Sequence, residues 1–564
     1  MFIVGAGPSH SIRLRTILTG TLALFLLCFP SVPSAGQAHS DHSTDVPSLL
    51  VQMRTLVELL PDGPGKFDLY EELGEIQAKA GKIEDAKISL SRIPTGYRGD
   101  YLSNKLKKEI ALSLAKANDF IGALNVADSI PNFDRGNNLE RDFAKEGIAV
   151  AMAKSGDVEG ALRIVDDLKE KTWAKTNALI AIGEYQADRG DLHGGMQMAA
   201  QAADHSPYAL WGIAKEQVKA GQVDEFMGEV QKLSEPLAKQ YAMWGVVGAY
   251  LAEKNLSAAI QFAQHIPKGH ASASAWRDIA LSQIETGNHQ AGLASLRKAL
   301  AGAKVIQNSF ARSDIYWRIA EGLAKARDYQ KALQTVDLIE FEGHRHSALR
   351  DIVAELSRVG EVDQALRIAA QFNKEFAFPS PYWSILQDLA ASGQVDKALK
   401  LVVTNNIRLE ETSPYEPIAL GQAQRGDGKG ALETLGKISK GKGRDLRDKY
   451  YSLERIARCQ IEKNDLEGAE HTVLMLPKNW RALPIEELTV ALTRKGRFEK
   501  AKNILQGFSD TPVTGKATQA VAHVLTARGD WSAALTWGNS LSSPYLKANI
   551  LLGVLQAKLQ SLPE

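Results

Sequence analysis

Cysteine is nearly absent from this chain: there are two in 564 residues, Cys28 and Cys459. That excludes a disulfide-stapled scaffold and any Cys-x-x-Cys metal or redox site. Charge of one sign is also lacking, since 67 Lys and Arg stand against 66 Asp and Glu. A balance this even lacks the electrostatic footprint of a general nucleic-acid binder, so DNA or RNA is not expected as the main partner. Catalytic signatures are missing too. No phosphate-cradling loop ending in Lys-Ser or Lys-Thr, no His-Glu-x-x-His and no Gly-x-Ser-x-Gly occurs. No low-complexity tract is present either. Long apolar runs are confined to one place. Ile17 to Phe29 is apolar over thirteen residues, short of the ~20 that a spanning helix needs.

That short run has an address-like context. Arg13 and Arg15 precede it, Pro30 and Pro33 follow, and then come the small residues Ser34-Ala-Gly-Gln-Ala38. Basic flank, short apolar core and small residues predict a secretory signal peptide over residues 1–38, cleaved after Ala38. The mature chain would then hold Cys459 alone and no membrane span. A periplasmic or secreted location is the expectation.

What is present in abundance is a repeat. A turn residue, usually Gly, is followed two positions on by an apolar residue and five positions on by a small one. Clear copies are Gly81-Lys-Ile-Glu-Asp-Ala86, Gly360-Glu-Val-Asp-Gln-Ala365 and Gly529-Asp-Trp-Ser-Ala-Ala534. The turn falls at 81, 118, 156, 190, 221, 254, 287, 327, 360, 393, 426, 464, 496 and 529, at intervals of 31 to 40 and most often 33. A period in this range predicts stacked repeats and not one globular core. Each half has a physical reason. Before the turn, apolar residues recur at helical spacing, and Gly closes a helix in the left-handed region without a Cβ penalty. Asp often follows (Asp119, Asp157, Asp191, Asp328, Asp427, Asp465, Asp530), a good cap for the next helix. The residue five beyond the turn is Ala in eleven copies, Gly in two and Phe226 in one. Small side chains there let two antiparallel helices approach closely. A second small position recurs seven residues before the turn, as at Gly74, Ala111, Ala149 and Ala320. Pro94, Pro131, Pro267 and Pro477 stop several second helices.

The small residue before the turn, the Gly-Asp turn, the Ala after it and the period resemble the tetratricopeptide repeat. The likeness spans residues 65–541. It implies an all-α fold: a right-handed α-solenoid of about 14 helix-turn-helix repeats. The second helices that end at Ile93-Pro94, Ile130-Pro131 and Ile266-Pro267 stop earlier than is usual in that family. Residues 39–64 read as a linker with a capping helix from Val46 to Leu60, and residues 542–564 as a C-terminal capping helix, apolar at helical spacing from Leu546 to Leu559.

One register carries the functional expectation. Ten residues before each turn, consecutive central repeats place Trp211, Trp244, Arg277, Trp317, Arg350 and Trp383. Elsewhere the same register holds Glu71, Lys108, Glu146, Glu416 and Glu454, charges that are seldom fully buried. The register is therefore expected to be partly exposed, with Tyr208 and Tyr241 one helical turn from the first two Trp. The resemblance implies that this face lines a concave groove for extended peptides. Trp, Tyr and Arg are also the residue types that dominate interface hot spots. Aromatic stripes at helical spacing serve packing at least as often, and Trp276 sits one place out of register. The expectation is a non-enzymatic scaffold that binds a protein or peptide in the central groove. The alternative is an envelope glycan stacked on the Trp face. No cofactor and no metal site is expected: His39-Ser-Asp-His42 lies on a free terminus, and His344-Arg-His346 reads as a solvated connection without a third ligand. The basic stretch Lys437–Lys449 also reads as a solvated connection.

Overall fold

The computed structural model describes residues 45–564 except 132–138, 170–171, 203–205, 207, 371–379, 405–406, 408, 410–412, 439–443, 509–511 and 562–564. Residues 1–48 and 49–564 are separate units, and the second holds the repeats. The signal peptide, the histidines at 39 and 42, and Lys440 and Lys442 lie outside the described residues.

Thirty α-helices, one short 3-10 helix (Lys478–Trp480) and no strand occur among the described residues. After α1 (Val46–Glu58) they run in pairs, from α2 (Pro64–Lys79) and α3 (Ile83–Ser91) to α28 (Pro512–Ala527) and α29 (Trp531–Ser540), followed by α30 (Pro544–Gln560). Each first helix packs on its own second helix and on the first helix of the next pair. This is an α-solenoid. All fourteen turn residues have positive φ, including Asn118, Lys254, Arg327 and Asn464. The turn therefore imposes the left-handed conformation even where the residue is not Gly. Six of the seven Asp residues accept a bond from the backbone N–H three residues on, as Asp119 does from Gly122 and Asp465 from Gly468. Asp530 does not.

The small positions sit where the helices cross. Ala86, Ala123, Ala365 and Ala398 are fully buried, as are Ala111, Ala149 and Ala320 on the first helices. Two further devices recur. A Gln four residues before the turn accepts a bond from a Ser or Thr twelve residues on: Ser89 to Gln77, Ser295 to Gln283, Thr434 to Gln422 and Thr472 to Gln460, at 2.6–2.7 Å. A Lys or Arg fifteen residues before the turn donates to a carbonyl one to three residues past the end of the preceding helix. Lys66 reaches Leu60 O at 2.7 Å, Arg345 reaches Ile339 O at 2.6 Å and Arg481 reaches Leu476 O at 2.6 Å. A cation placed there satisfies orphan carbonyls at the negative end of a helix.

Within residues 49–564 the last helix also meets the first pair. α30 packs on α28 and on α2. The Tyr545 ring lies where a Cβ on Gly65 would come within 3.2 Å of it. Glu72 on α2 pairs with Lys516 on α28 and accepts a bond from Gln519 Nε2 at 3.1 Å. Among the described residues no helix is long and apolar enough to cross a membrane.

Candidate functional site

The central first helices explain the Trp register. Trp244 on α12 (Pro236–Ala252) donates its indole N–H to Asp278 of the next first helix at 2.9 Å. Trp317 on α16 (Ser309–Lys325) does the same to Asp351 at 2.7 Å. Donor and acceptor are 34 residues apart in both cases. The Trp stands ten residues before one turn and the Asp nine before the next, so the bond stitches neighbouring repeats. Burial pushes both carboxyls above the ordinary Asp value, and the indole bonds draw them partly back. Trp211 shows the same register without its acceptor, because the position corresponding to Asp278 is Gly245. Its ring instead packs against Gly245 and Gly248, where an added Cβ would approach to 3.0 and 3.1 Å. Its Nε1 is buried with no hydrogen-bond partner.

Around these rings an aromatic and charged cluster forms. Tyr208 stands edge-on to Trp211 at 4.9 Å, and Trp211 stands edge-on to Trp244 at 5.1 Å. Tyr241 and Trp244 both contact His270 on α14 (His270–Glu285), at 5.9 and 6.0 Å. The Tyr208 ring keeps 47% of its surface exposed. Burial at its hydroxyl end raises its pKa, and the Arg318 and Arg277 charges oppose that rise. Arg318 lies three repeats beyond Tyr208 in the chain. Arg318 pairs with Asp314 at 2.9 Å and Arg277 with Asp278 at 2.7 Å. Arg277 Nε and His270 Nδ1 are buried without partners. His270 is held below the ordinary His value by burial.

The other expected residues fall apart from this cluster. Trp317 stacks on His344 at 5.7 Å, and His344 touches Phe310 at 4.8 Å. Arg350 on α18 (Glu342–Arg358) bonds Ser347 Oγ, at 3.3 Å. Trp383 on α20 (Pro381–Ala391) donates to Gln387 at 2.7 Å, its neighbour-repeat position being Pro417. The expectation of one continuous exposed strip is therefore corrected. Trp244 is 3% exposed, and Trp211 and Trp317 pack against the core. The argument from charged residues in the same register fails for Glu71 and Glu416, which are buried. Glu71 is buried as an ion pair with Lys105 at 2.8 Å, and burial raises its carboxyl. Trp276, one place earlier than Arg277, is core, with Lys298 Nζ 3.8 Å over its ring.

Two readings of connections also change. His344 and His346 lie in the first turns of α18, His346 bonded to Glu342 O at 2.8 Å. The basic stretch becomes helical from Arg444, within α24 (Arg444–Glu462), and Arg447 stands against Tyr451 at 3.2 Å. Sequence reasoning missed Asp278, Asp351, Asp314 and Arg318. The signal for the first two was the Trp-to-Asp spacing of one repeat. Among the described residues no group of three or more His, Cys, Asp or Glu is placed to hold a metal ion.

No protein-family model matches the chain. No curated protein matches it either. Similar solved structures are helical-repeat proteins. The maize pentatricopeptide repeat protein PPR10 in complex with an 18-nt psaJ RNA element is 12% identical over 88% of this chain and 76% of that one, with a TM-score of 0.35. Cut9–Hcn1 of the APC/C is 12% identical over 91% and 99%, at 0.22. A circular tandem repeat protein is 15% identical over 91% and 99%, at 0.12. The expectation that nucleic acid is excluded as a partner does not stand, and helical-repeat chains solved with RNA occur among these similar structures. Its physical weakness is plain: charge summed over a whole solenoid says nothing of any single face.

Proposed function

We propose that the repeats form a non-enzymatic binding scaffold, and that the inner face of the central first helices takes a segment of a protein or peptide. One observation carries this reading. Tyr208, Trp211, Trp244, Tyr241 and His270 form one ring cluster, within electrostatic reach of Arg277 and Arg318, and Trp211 Nε1, His270 Nδ1 and Arg277 Nε are buried without partners. Aromatic rings beside arginines, partly desolvated, are the composition of interface hot spots. Trp244 and Trp317 support that face as inter-repeat stitches and are not themselves contact residues. The same surface also fits a glycan, with Tyr208 as the stacking ring, and the test separates the two. Full-length protein carrying Tyr208→Ala or Arg318→Ala is compared with wild type in pull-downs from envelope extract that has been protease-treated or glycan-digested. Loss of capture on protease treatment and in both variants supports the protein reading. Loss on glycan digestion alone moves the assignment to glycan, and equal capture by variants and wild type overturns the site.

We also propose export, on the N-terminal pattern of residues 1–38. The mature form from the native host should begin near His39 by mass spectrometry. Retention of residues 1–30 would make the apolar run an anchor.

A further inference from the structure

The rim of the array where second helices end and first helices begin is unlike the rim of the Gly-Asp turns. Seventeen residues before the turn, five repeats carry a large apolar side chain: Tyr101, Leu139, Trp173, Leu237 and Phe310. All five are exposed, by 48 to 62%. A second row stands five residues earlier, at the ends of the second helices, where Val305, Leu338 and Leu474 are exposed as well. On the opposite rim the comparable residue is Ile121. Apolar side chains scattered singly over a surface need no account, but the same register in repeat after repeat does.

Some acids on this rim are paired in place: Asp128 pairs with Arg141 at 2.8 Å and with Lys145 at 3.1 Å, Asp167 with Lys145, and Glu340 with Arg312. Among the described residues Lys169, Lys268, Lys304 and Lys478 are exposed and make no ion pair. Among the described residues the exposed acids Asp100, Asp166, Glu235, Asp337 and Glu342 on the same rim make no ion pair either. The unpaired lysines stand beside the apolar anchors, Lys169 near Trp173 and Lys304 next to Val305.

We infer that this rim lies on a lipid surface. A protein interface has a compact apolar core within a polar rim. Here the apolar groups form a line, one or two per repeat, with ammonium groups between them. That is the pattern of an interfacial anchor: aromatic and leucine side chains enter the headgroup boundary while lysines stay with the phosphates. Closure of the array favours it further. Because α30 meets α2, the starts of the first helices return on themselves within residues 49–564 and do not climb away from a surface. None of the five exposed apolar residues belongs to the inner aromatic cluster, although His270 of that cluster shares their register, and the inference stands without the proposed function.

The test is flotation of the full chain with phosphatidylcholine vesicles, with and without phosphatidylglycerol. Wild type is compared with the triple variant Trp173→Ser, Leu237→Ser, Phe310→Ser and with Ile121→Ser on the opposite rim. The expected result is flotation of wild type and Ile121→Ser, strengthened by the anionic lipid, and about tenfold or greater weakening in the triple variant. Brominated acyl chains should quench part of the fluorescence, and Trp173→Phe should remove that part. Equal flotation of the triple variant would assign binding to the N-terminal apolar run and overturn the inference. Absence of flotation in wild type would do the same. So would a dimer in solution that the triple variant abolishes, which would make a second copy the occupant.

Discussion

The Trp register shows how one hydrogen bond decides a side chain's role. Trp244 and Trp317 find an Asp on the next first helix, whereas Trp211 finds Gly245 and is left with a buried, unpaired N–H. Removing the acceptor should therefore cost more than removing its charge. Asp351→Ala leaves the Trp317 indole unsatisfied and should lose about 1–3 kcal/mol in denaturant melts. Asp351→Asn keeps an oxygen acceptor and relieves a carboxyl that burial has raised, so it should match or exceed wild type near neutral pH. Glu146 offers the pH test. Burial raises its carboxyl to about 7, against a bond from Asn177 that lowers it. A carboxyl raised in the fold keeps its proton where the unfolded chain has lost it, so stability is greatest below ~4.5 and falls as pH rises to about 7. Thermal melts across that window should show a decline that Glu146→Gln removes, on the order of 1–2 kcal/mol after solvent screening. A pH-independent difference between the two proteins would contradict this assignment.

At the scale of the helix pair, the repeat was legible because its constraints are local. Every turn position identified by spacing has positive φ, and every Ala five residues on is fully buried. The four turn residues with a side chain carry a penalty that Gly lacks. Lys254→Gly or Arg327→Gly should stabilise the fold by about 0.5–1 kcal/mol, read as a rise in melting temperature. Ala365→Leu and Ala398→Leu should cost about 1–3 kcal/mol by forcing a helix pair apart, while Lys397→Leu, on an exposed position beside Ala398, should be nearly silent. The candidate site was less legible. The register of the aromatics could be read from the chain, but exposure could not, because it depends on the partner helix. Glu71 is buried by Lys105 and Trp244 by its neighbours in the cluster, contacts made between repeats and invisible within one. The polar stitches from Gln to Ser or Thr lie within one repeat and went unseen for another reason, since each side chain alone reads as an ordinary surface residue.

At the scale of the molecule, repeat spacing predicts a stack but says nothing of where its ends lie. In an open solenoid the final helix shields the last repeat from water. Here α30 also meets α2, so the two ends shield one another and the first and last repeats lose their terminal character. The joint has two chemistries. Tyr545 packs on the bare backbone of Gly65, and Glu72 gathers Lys516 and Gln519. An exposed ion pair contributes little by itself, about 0–1 kcal/mol, so Glu72→Lys should act mainly by adding repulsion against Lys516. That variant is expected to part the ends, raising the radius of gyration in small-angle scattering and increasing the distance between labels placed on α2 and α30. The effect should fade at high salt, where the repulsion is screened. The exchange Glu72→Lys with Lys516→Glu should restore the wild-type dimensions, because it returns an attractive pair to the same place. Gly65→Trp should part the ends whatever the salt, since it displaces the Tyr545 ring and not a charge. If Glu72→Lys and Gly65→Trp both leave the dimensions unchanged, the ends do not meet in solution, and a lipid-bound rim would have to follow an open superhelix.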